Sequence, residues 1–335
     1  MIKLIRTKDL KFGMHIVLPG SISAQVFPEN ESKITSRKQI NKIIDMGLHE
    51  VKIDTGKSMF NYLHENAGLM RFDHPGVVDE TRKDVPGKIL PEELIDAINN
   101  RNLSARQKAG IVYKASIKLM KNLHGCPSAG NIKEAKRGIG LIVDMVLAQD
   151  DIAHRLLEII SNVTCEDSHS VNVGFLGLLV SKQLFAKQRE HNMHELGAGF
   201  FLHDIGKVKI DPAIFSKPGK LTKAEMDIVK KHPYYGFKIL QETDQLSHEC
   251  SIIVMQHHER VGGNGYPMHL AGDRIHTYGR ICSIADVYDS LTCERSYKEM
   301  LSPFEALNVM KNEMLHHYHK DVFEKFVLLF ADKKK

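Results

Sequence analysis

His257 and His258 stand side by side, followed by Glu259, Arg260 and a glycine-rich run that closes on Gly265-Tyr266-Pro267. A second cluster, His203-Asp204-Ile205-Gly206-Lys207, lies upstream. Imidazole is a borderline ligand for divalent cations, and a carboxylate beside it can bridge two of them. Lys207, three residues beyond Asp204, brings a positive charge suited to a phosphate. His169, the His232-Pro233 pair and Asp286 extend the set. Asp286 falls in the mostly apolar run Ile281-Cys282-Ser283-Ile284-Ala285-Asp286-Val287-Tyr288-Asp289, where a carboxylate needs a partner or a cation. Asp289 reads instead as an exposed residue on the polar stripe. A lone His-Asp dipeptide is common and carries little by itself. Together, His169, His203, Asp204, His232, His257, His258 and Asp286 can converge on a dinuclear centre. Two cations about 3.5–4 Å apart would activate a bridging hydroxide and hold a phosphate oxygen.

The elements that must position these residues read as helices. Apolar spacing predicts helices at 106–123, 132–160 with a break near 149–151, 168–186, 193–205, 223–231, 234–242, 251–257, 277–291 and 303–315. Thr222-Lys223-Ala224-Glu225 has the form of a capping box and marks a helix start. His203-Asp204 closes an apolar helix and Gly206 permits the turn out of it. His257-His258 closes another, and His169 opens a long one. Residues 1–70 read as a small α/β unit: a strand at 14–18, a helix at 36–46 capped by Gly47, and an alternating strand at 49–54. No catalytic constellation appears there. Residues 71–102 carry Pro75-Gly76, Pro86-Gly87 and Asn99-Asn100 and read as a linker, partly helical after Pro91. Residues 103–335 form the helical domain. The predicted fold class is mainly α, a helical bundle with a small N-terminal α/β domain.

The 335 residues are 42% hydrophobic and 26% charged, a soluble globular composition with core to bury. A net charge of +5 includes the Lys333-Lys334-Lys335 tail and reads mainly as solubility. Five scattered cysteines without a C-x-x-C pair exclude a disulfide framework and fit a reducing compartment. The N-terminus lacks a signal-peptide core, and the apolar run 171–180 is too short to span a bilayer. A cytoplasmic protein without membrane insertion is expected. Histidine stands out, with 19 copies. His191 and His194 lack carboxylate company, and His316, His317 and His319 read as a solvated helix face.

The chain resembles the HD-GYP proteins, a branch of the HD-domain phosphohydrolases. The likeness rests on His169-Ser170-Val171, His203-Asp204-Ile205-Gly206-Lys207, His232-Pro233, His257-His258-Glu259-Arg260, Gly265-Tyr266-Pro267, Ala285-Asp286-Val287-Tyr288-Asp289 and Arg295-Ser296-Tyr297-Lys298, in family order over roughly residues 150–320. The resemblance implies an all-helical fold and hydrolysis of cyclic di-GMP to linear pGpG, in some members onward to GMP, with iron, manganese or related metals. It also implies that His169, His203, Asp204, His232, His257, His258 and Asp286 are metal ligands, with Asp204 and Lys207 at the chemistry. Lys207 would hold the scissile phosphate, Arg295 and Lys298 the nucleotide, and Gly265, Tyr266 and Pro267 would shape its pocket. The first 70 residues resemble a domain of unknown function that precedes some HD-GYP domains, chiefly through Val51-Lys52-Ile53-Asp54-Thr55. That likeness implies signalling-protein partners and no chemistry. A nucleic acid polymer is not an expected partner.

Two departures from the family pattern bear on these expectations. Gly262-Gly263 stands where the family carries Asp or Asn before the loop glycine. Cys165 occupies the position of a glutamate that gives some members a third metal, so two divalent ions are expected. The motifs leave cyclic di-GMP and a cyclic GMP-AMP as alternative substrates. A non-catalytic cyclic-di-GMP receptor is the rival from another class.

Overall fold

The alternation at 49–54 produces the central strand of a small sheet. The structure, a computed structural model, describes residues 2–10, 14–18, 23, 25–26, 34, 37–54, 89–162, 168–185, 188, 190–217, 219–293 and 300–331. Strand β1 (Ile2–Arg6), β2 (His15–Val17) and β3 (Glu50–Asp54) form an antiparallel sheet in the order β1-β3-β2, with Ile5 opposite Val51 and Ile16 opposite Ile53. Helix α1 (Arg37–Asp45) ends at Gly47, whose positive φ of 72° suits glycine. Ile16, Ile40, Ile43, Val51 and Ile53 are buried, while Ile2 and Leu4 are exposed. The sequence pattern does not anticipate β1, because its apolar residues at 2 and 4 face outward.

These elements belong to a compact unit spanning Met1–Pro75, and Gly76–Lys335 forms a second. The segment read as a linker lies outside the described residues up to 88, and its later part holds α2 (Glu92–Asn99).

Among its described residues the named elements of the second unit are all helical, apart from an isolated bridge between Gly262 and Ala271. Helix α3 (Ala105–Gly125) opens on a Ser104–Gln107 capping box. Helices α4 (Ala129–Ala148) and α5 (Asp150–Asn162) divide at the anticipated break near 149. Helix α6 (His169–Phe185) is buried without interruption from Ser170 to Ser181, which makes it the central rod of the bundle. It packs on α7 (Met193–Leu202), buried from Leu196 to Leu202. After α7 come a 3-10 turn (Ile205–Lys209), the short α8 (Pro212–Phe215), and α9 (Lys223–Val229), which starts on the predicted Thr222–Glu225 box. Helix α10 (His232–Glu242) packs on that 3-10 turn, and α11 (His248–Gln256) packs on α7. Helix α12 (Thr277–Thr292) packs on α6 and α11. Helices α13 (Pro303–Asn312) and α14 (Lys320–Val327) cover α12 from outside. Helices α8 and α14 are absent from the sequence expectation; α8, with four residues, is too short to establish a helical period. His316 and His317 lie in a 3-10 turn (Leu315–His317) and not on an α-helical face. Among the described residues no helix is long and apolar enough to cross a membrane.

Candidate metal centre

The chemistry-bearing residues sit where helices begin or end. His169 is the first residue of α6, His232 the first of α10, His203 follows α7 and His257 follows α11. A helix end is the point at which a side chain can leave one rod and face several others. Gly206 makes the approach possible. A Cβ there would lie 2.0 Å from the His232 carbonyl oxygen and 2.3 Å from Gly236 N, so only glycine lets the turn after Asp204 touch the start of α10.

The hydrogen bonds determine which ring nitrogens carry protons. His203 Nδ1 lies 2.8 Å from Phe200 O, His232 Nδ1 2.7 Å from Val229 O and His257 Nδ1 2.9 Å from Val254 O. A carbonyl only accepts, so these Nδ1 atoms hold the protons and the Nε2 atoms carry lone pairs. Yet His232 Nε2 and His257 Nε2 face each other at 3.0 Å, with Asp204 Oδ1 at 3.1 and 3.7 Å from them. His203 Nε2 is 3.5 Å from Asp204 Oδ2, and His203 Nε2 and Asp204 Oδ1 are buried without a hydrogen-bond donor. Lone pairs meeting in a buried pocket repel one another. A cation among them turns that repulsion into ligation, so the donor set fits a metal.

Two overlapping groups emerge. The ligand atoms of Asp204, His232, His257 and His258 lie within 4.8 Å of one another, as do those of His169, His203 and Asp204. Asp204 is common to both, the arrangement of a bridging carboxylate. Asp286 lies between them, with Oδ1 3.3 Å from His169 Nε2 and Oδ2 3.5 Å from His258 Nδ1. The structure thus gathers all seven residues expected as ligands.

Electrostatics prepare the same set. Burial lowers His203 to about 3, lowers His232 and takes His258 well below the usual histidine range, so these rings stay neutral with lone pairs available. Burial also works to neutralise Asp204, but the Lys207 charge and the His169 hydrogen bond prevail and hold it well below the usual carboxylate range. Asp286 is likewise held low against burial, chiefly by its hydrogen bond from His169. Burial opposes a charge on His169, but hydrogen bonds to Asp204, Asp286 and Asp289 raise it well above its ordinary value, so without a cation Nε2 carries a proton that metal binding would displace.

Asp289 corrects the sequence reading. It is 1% exposed, and its Oδ2 accepts from His169 Nδ1 at 2.6 Å while Oδ1 accepts from Asn172 Nδ2 at 2.7 Å. Helix α12 is buried from Ile281 to Asp289, so no polar stripe exists for Asp289 to occupy. By accepting from Nδ1–H, Asp289 turns Nε2 of His169 toward Asp204 and Asp286. His194 also departs from expectation, since its Nε2 lies 2.7 Å from Asp144 Oδ1 at a site away from the cluster. His191 pairs with the Tyr278 hydroxyl at 2.6 Å.

Lys207, half-exposed, forms an ion pair with Asp204 at the rim of the cluster. The loop after His258 forms a lip above it. Glu259 is buried and accepts from Met268 N at 2.6 Å and Leu270 N at 2.9 Å, tying the loop's far end to its start. Arg260 donates to Ser283 Oγ on α12. Gly265 passes so close that a Cβ would lie 2.5 Å from Arg260 N and Glu259 Cα. Tyr266 is thereby set over the histidines, its ring centroid 4.6 Å from that of His258 and 6.4 Å from that of His232. Pro267 follows across a cis bond. Lys230 Nζ stands 5.7 Å from the Tyr266 centroid, a cation beside the pocket that no sequence motif marks. Arg295 and Lys298, expected at the nucleotide, lie outside the described residues, as does Cys165.

Residues 180–322 match a family model described as an HD domain, and residues 2–130 match a domain of unknown function, DUF3391. The HD match includes the expected ligands from His203 to Asp286 and begins after His169. A cyclic di-GMP phosphodiesterase of Pseudomonas aeruginosa is 37% identical over 159 residues, 48% of this chain and 38% of that protein. A 3'3'-cGAMP-specific phosphodiesterase of Vibrio cholerae is 48% identical over 99 residues, 29% of this chain and 19% of that protein. The matches to these curated relatives span less than half of their length. A solved HDG"Y"P protein from Bdellovibrio bacteriovorus aligns over 99% of this chain and 100% of that one, with a TM-score of 0.58 at 15% identity, a likeness of fold.

Proposed function

We propose that this chain, whose residues 180–322 match an HD domain, is a metal-dependent cyclic dinucleotide phosphodiesterase that hydrolyses cyclic di-GMP to linear pGpG. The observation that carries the reading is the convergence of donor-less Nε2 and carboxylate lone pairs around Asp204. In this reading His169, His203 and Asp204 hold one divalent ion, Asp204, His232, His257 and His258 hold the other, and Asp286 completes the pair. Iron and manganese suit this mixed imidazole–carboxylate set. When bound, such a pair supplies a water that ionises near neutral pH and a grip on a phosphate oxygen.

The chain's own groups do the rest. Lys207 swings from Asp204 to a non-bridging phosphate oxygen, where it offsets charge as the water oxygen bonds to phosphorus and the ribose oxygen leaves with a proton. Tyr266 offers an aromatic face beside the scissile phosphate, and Lys230 adds a second cation at the rim. Gly265 and Pro267 keep that face in place. Arg295 and Lys298 are proposed nucleotide contacts. The curated relatives' names support a cyclic dinucleotide substrate, and the cGAMP-specific relative makes 3'3'-cGAMP the second reading.

The test is to load the protein with Mn(II) or, without oxygen, Fe(II), and to follow linear products from cyclic di-GMP and 3'3'-cGAMP. Faster turnover of cyclic di-GMP is the expected result, and the reverse preference selects the second reading. Binding of either dinucleotide without turnover under both metals would sink the enzyme reading in favour of a receptor. Asp204→Asn should abolish turnover, with a loss of metal from both positions by elemental analysis.

A further inference from the structure

We propose that Tyr113 on α3 is a positioning residue for the metal centre, acting through Asn172 and Asp289 on His169. It rests on the metal reading above. Tyr113 is 3% exposed and its hydroxyl donates to Asn172 Oδ1 at 2.7 Å. Asn172, 1% exposed, then directs Nδ2 to Asp289 Oδ1 at 2.7 Å and to Ser168 Oγ at 3.1 Å. Asp289 Oδ2 accepts from His169 Nδ1 at 2.6 Å.

The direction of this chain follows from donor and acceptor chemistry. An amide has distinct ends, and turning Asn172 over would aim its oxygen at the Asp289 carboxylate. The phenol proton holds the amide oxygen on the far side, so both N–H groups stay toward Asp289 and Ser168. Asp289 is then held from one side by Asn172 and from the other by His169. With Nδ1–H committed, His169 Nε2 faces Asp204 and Asp286. The phenol ring is itself seated against Phe175 of α6, with centroids 6.3 Å apart.

Tyr113 lies within the segment 2–130 that matches the domain of unknown function, and outside the 180–322 HD match. The end of that segment therefore serves as an outer layer of the centre, and α3 is the element through which a change in it reaches His169.

The experiment compares Mn(II) affinity of the full chain by electron paramagnetic resonance of the free ion, which reads binding independently of turnover. Tyr113→Phe keeps the ring and removes the donor. It should weaken Mn(II) binding about threefold to tenfold, below the ~10–100-fold typical of a partner touching a ligand directly. Ser116→Ala removes another buried hydroxyl of α3, one bonded to Val112 O within the helix, and should leave affinity unchanged. In an Asp289→Asn background, Tyr113→Phe should add no further loss, since both act along one path. Wild-type affinity in Tyr113→Phe, equal loss in Ser116→Ala, or additive loss in the double variant would each overturn the proposal while leaving the metal reading intact. Wild-type protein that takes up no Mn(II) or Fe(II) overturns both.

Discussion

At the residue scale, the centre is defined by which nitrogen of each histidine carries the proton. Three rings donate Nδ1–H to carbonyls of the preceding turn, and His169 donates to Asp289. Asp289→Asn should therefore weaken Mn(II) binding ~10–100-fold while helix content stays unchanged; titration that returns the wild-type constant contradicts this role. The residues proposed as ligands stand out in the sequence because their types are unusual at the ends of apolar helices. Asp289 was not, because the exposure of a side chain three residues from Asp286 depends on what covers α12. Lys230 was hidden for the same reason: one lysine among many acquires meaning only from the aromatic ring beside it.

At the scale of elements, the close approach of the 3-10 turn to α10 is decisive. Gly206→Ala should push His232 away from Asp204 and cost about 3 kcal/mol or more, read by urea unfolding, with weaker metal uptake. An alanine variant as stable as the parent would mean that the turn yields freely. Helix α9 offers a pH test. Hydrogen bonds from Lys217 and from Thr222 lower Glu225 from its ordinary 4.5 to about 2. A depressed carboxylate stabilises the fold above its ordinary pKa, and that contribution is lost as pH falls from about 4.5 toward 2. Carboxyl chemical shifts of Glu225 should titrate near the lower value, and a midpoint at 4.5 contradicts the capping geometry. Most helices were readable from apolar spacing, and the Thr222–Glu225 cap from its four residues alone. Strand β1 was not, because outward apolar residues imitate an inward face.

At the scale of the whole molecule, the proposed centre draws on α6, α7, α10, α11 and α12, so metal bound there would be coupled to folding. Metal at a hundred times its dissociation constant should add about 2.7 kcal/mol of stability. Calorimetry should show Tm rising with Mn(II) in the wild type and not in Asp204→Asn; a flat response in the wild type contradicts an ordered metal site. Truncation tests where the helical unit begins. A chain starting at residue 76 keeps α2 to α14 and should retain full Mn(II) affinity. A chain starting at residue 131 loses α3, which packs on α5 and α6 and buries Val112, Leu119, Met120 and Leu123. Each such side chain contributes about 1.5–3 kcal/mol, so the shorter chain should lose cooperative unfolding. Cooperative melting of the shorter chain would place α3 outside the structural core.

By itself, the sequence determined the helical class, most helix boundaries and the residue types able to bind metal. Those follow from periodicity, caps and chemistry that a short stretch of chain carries. Only the tertiary structure decided that Asp204 faces both groups of histidines, that Asp289 and Asn172 stand behind His169, and that Tyr266 covers His258. Such relations join residues far apart in the chain, and local pattern carries no information about which buried faces meet.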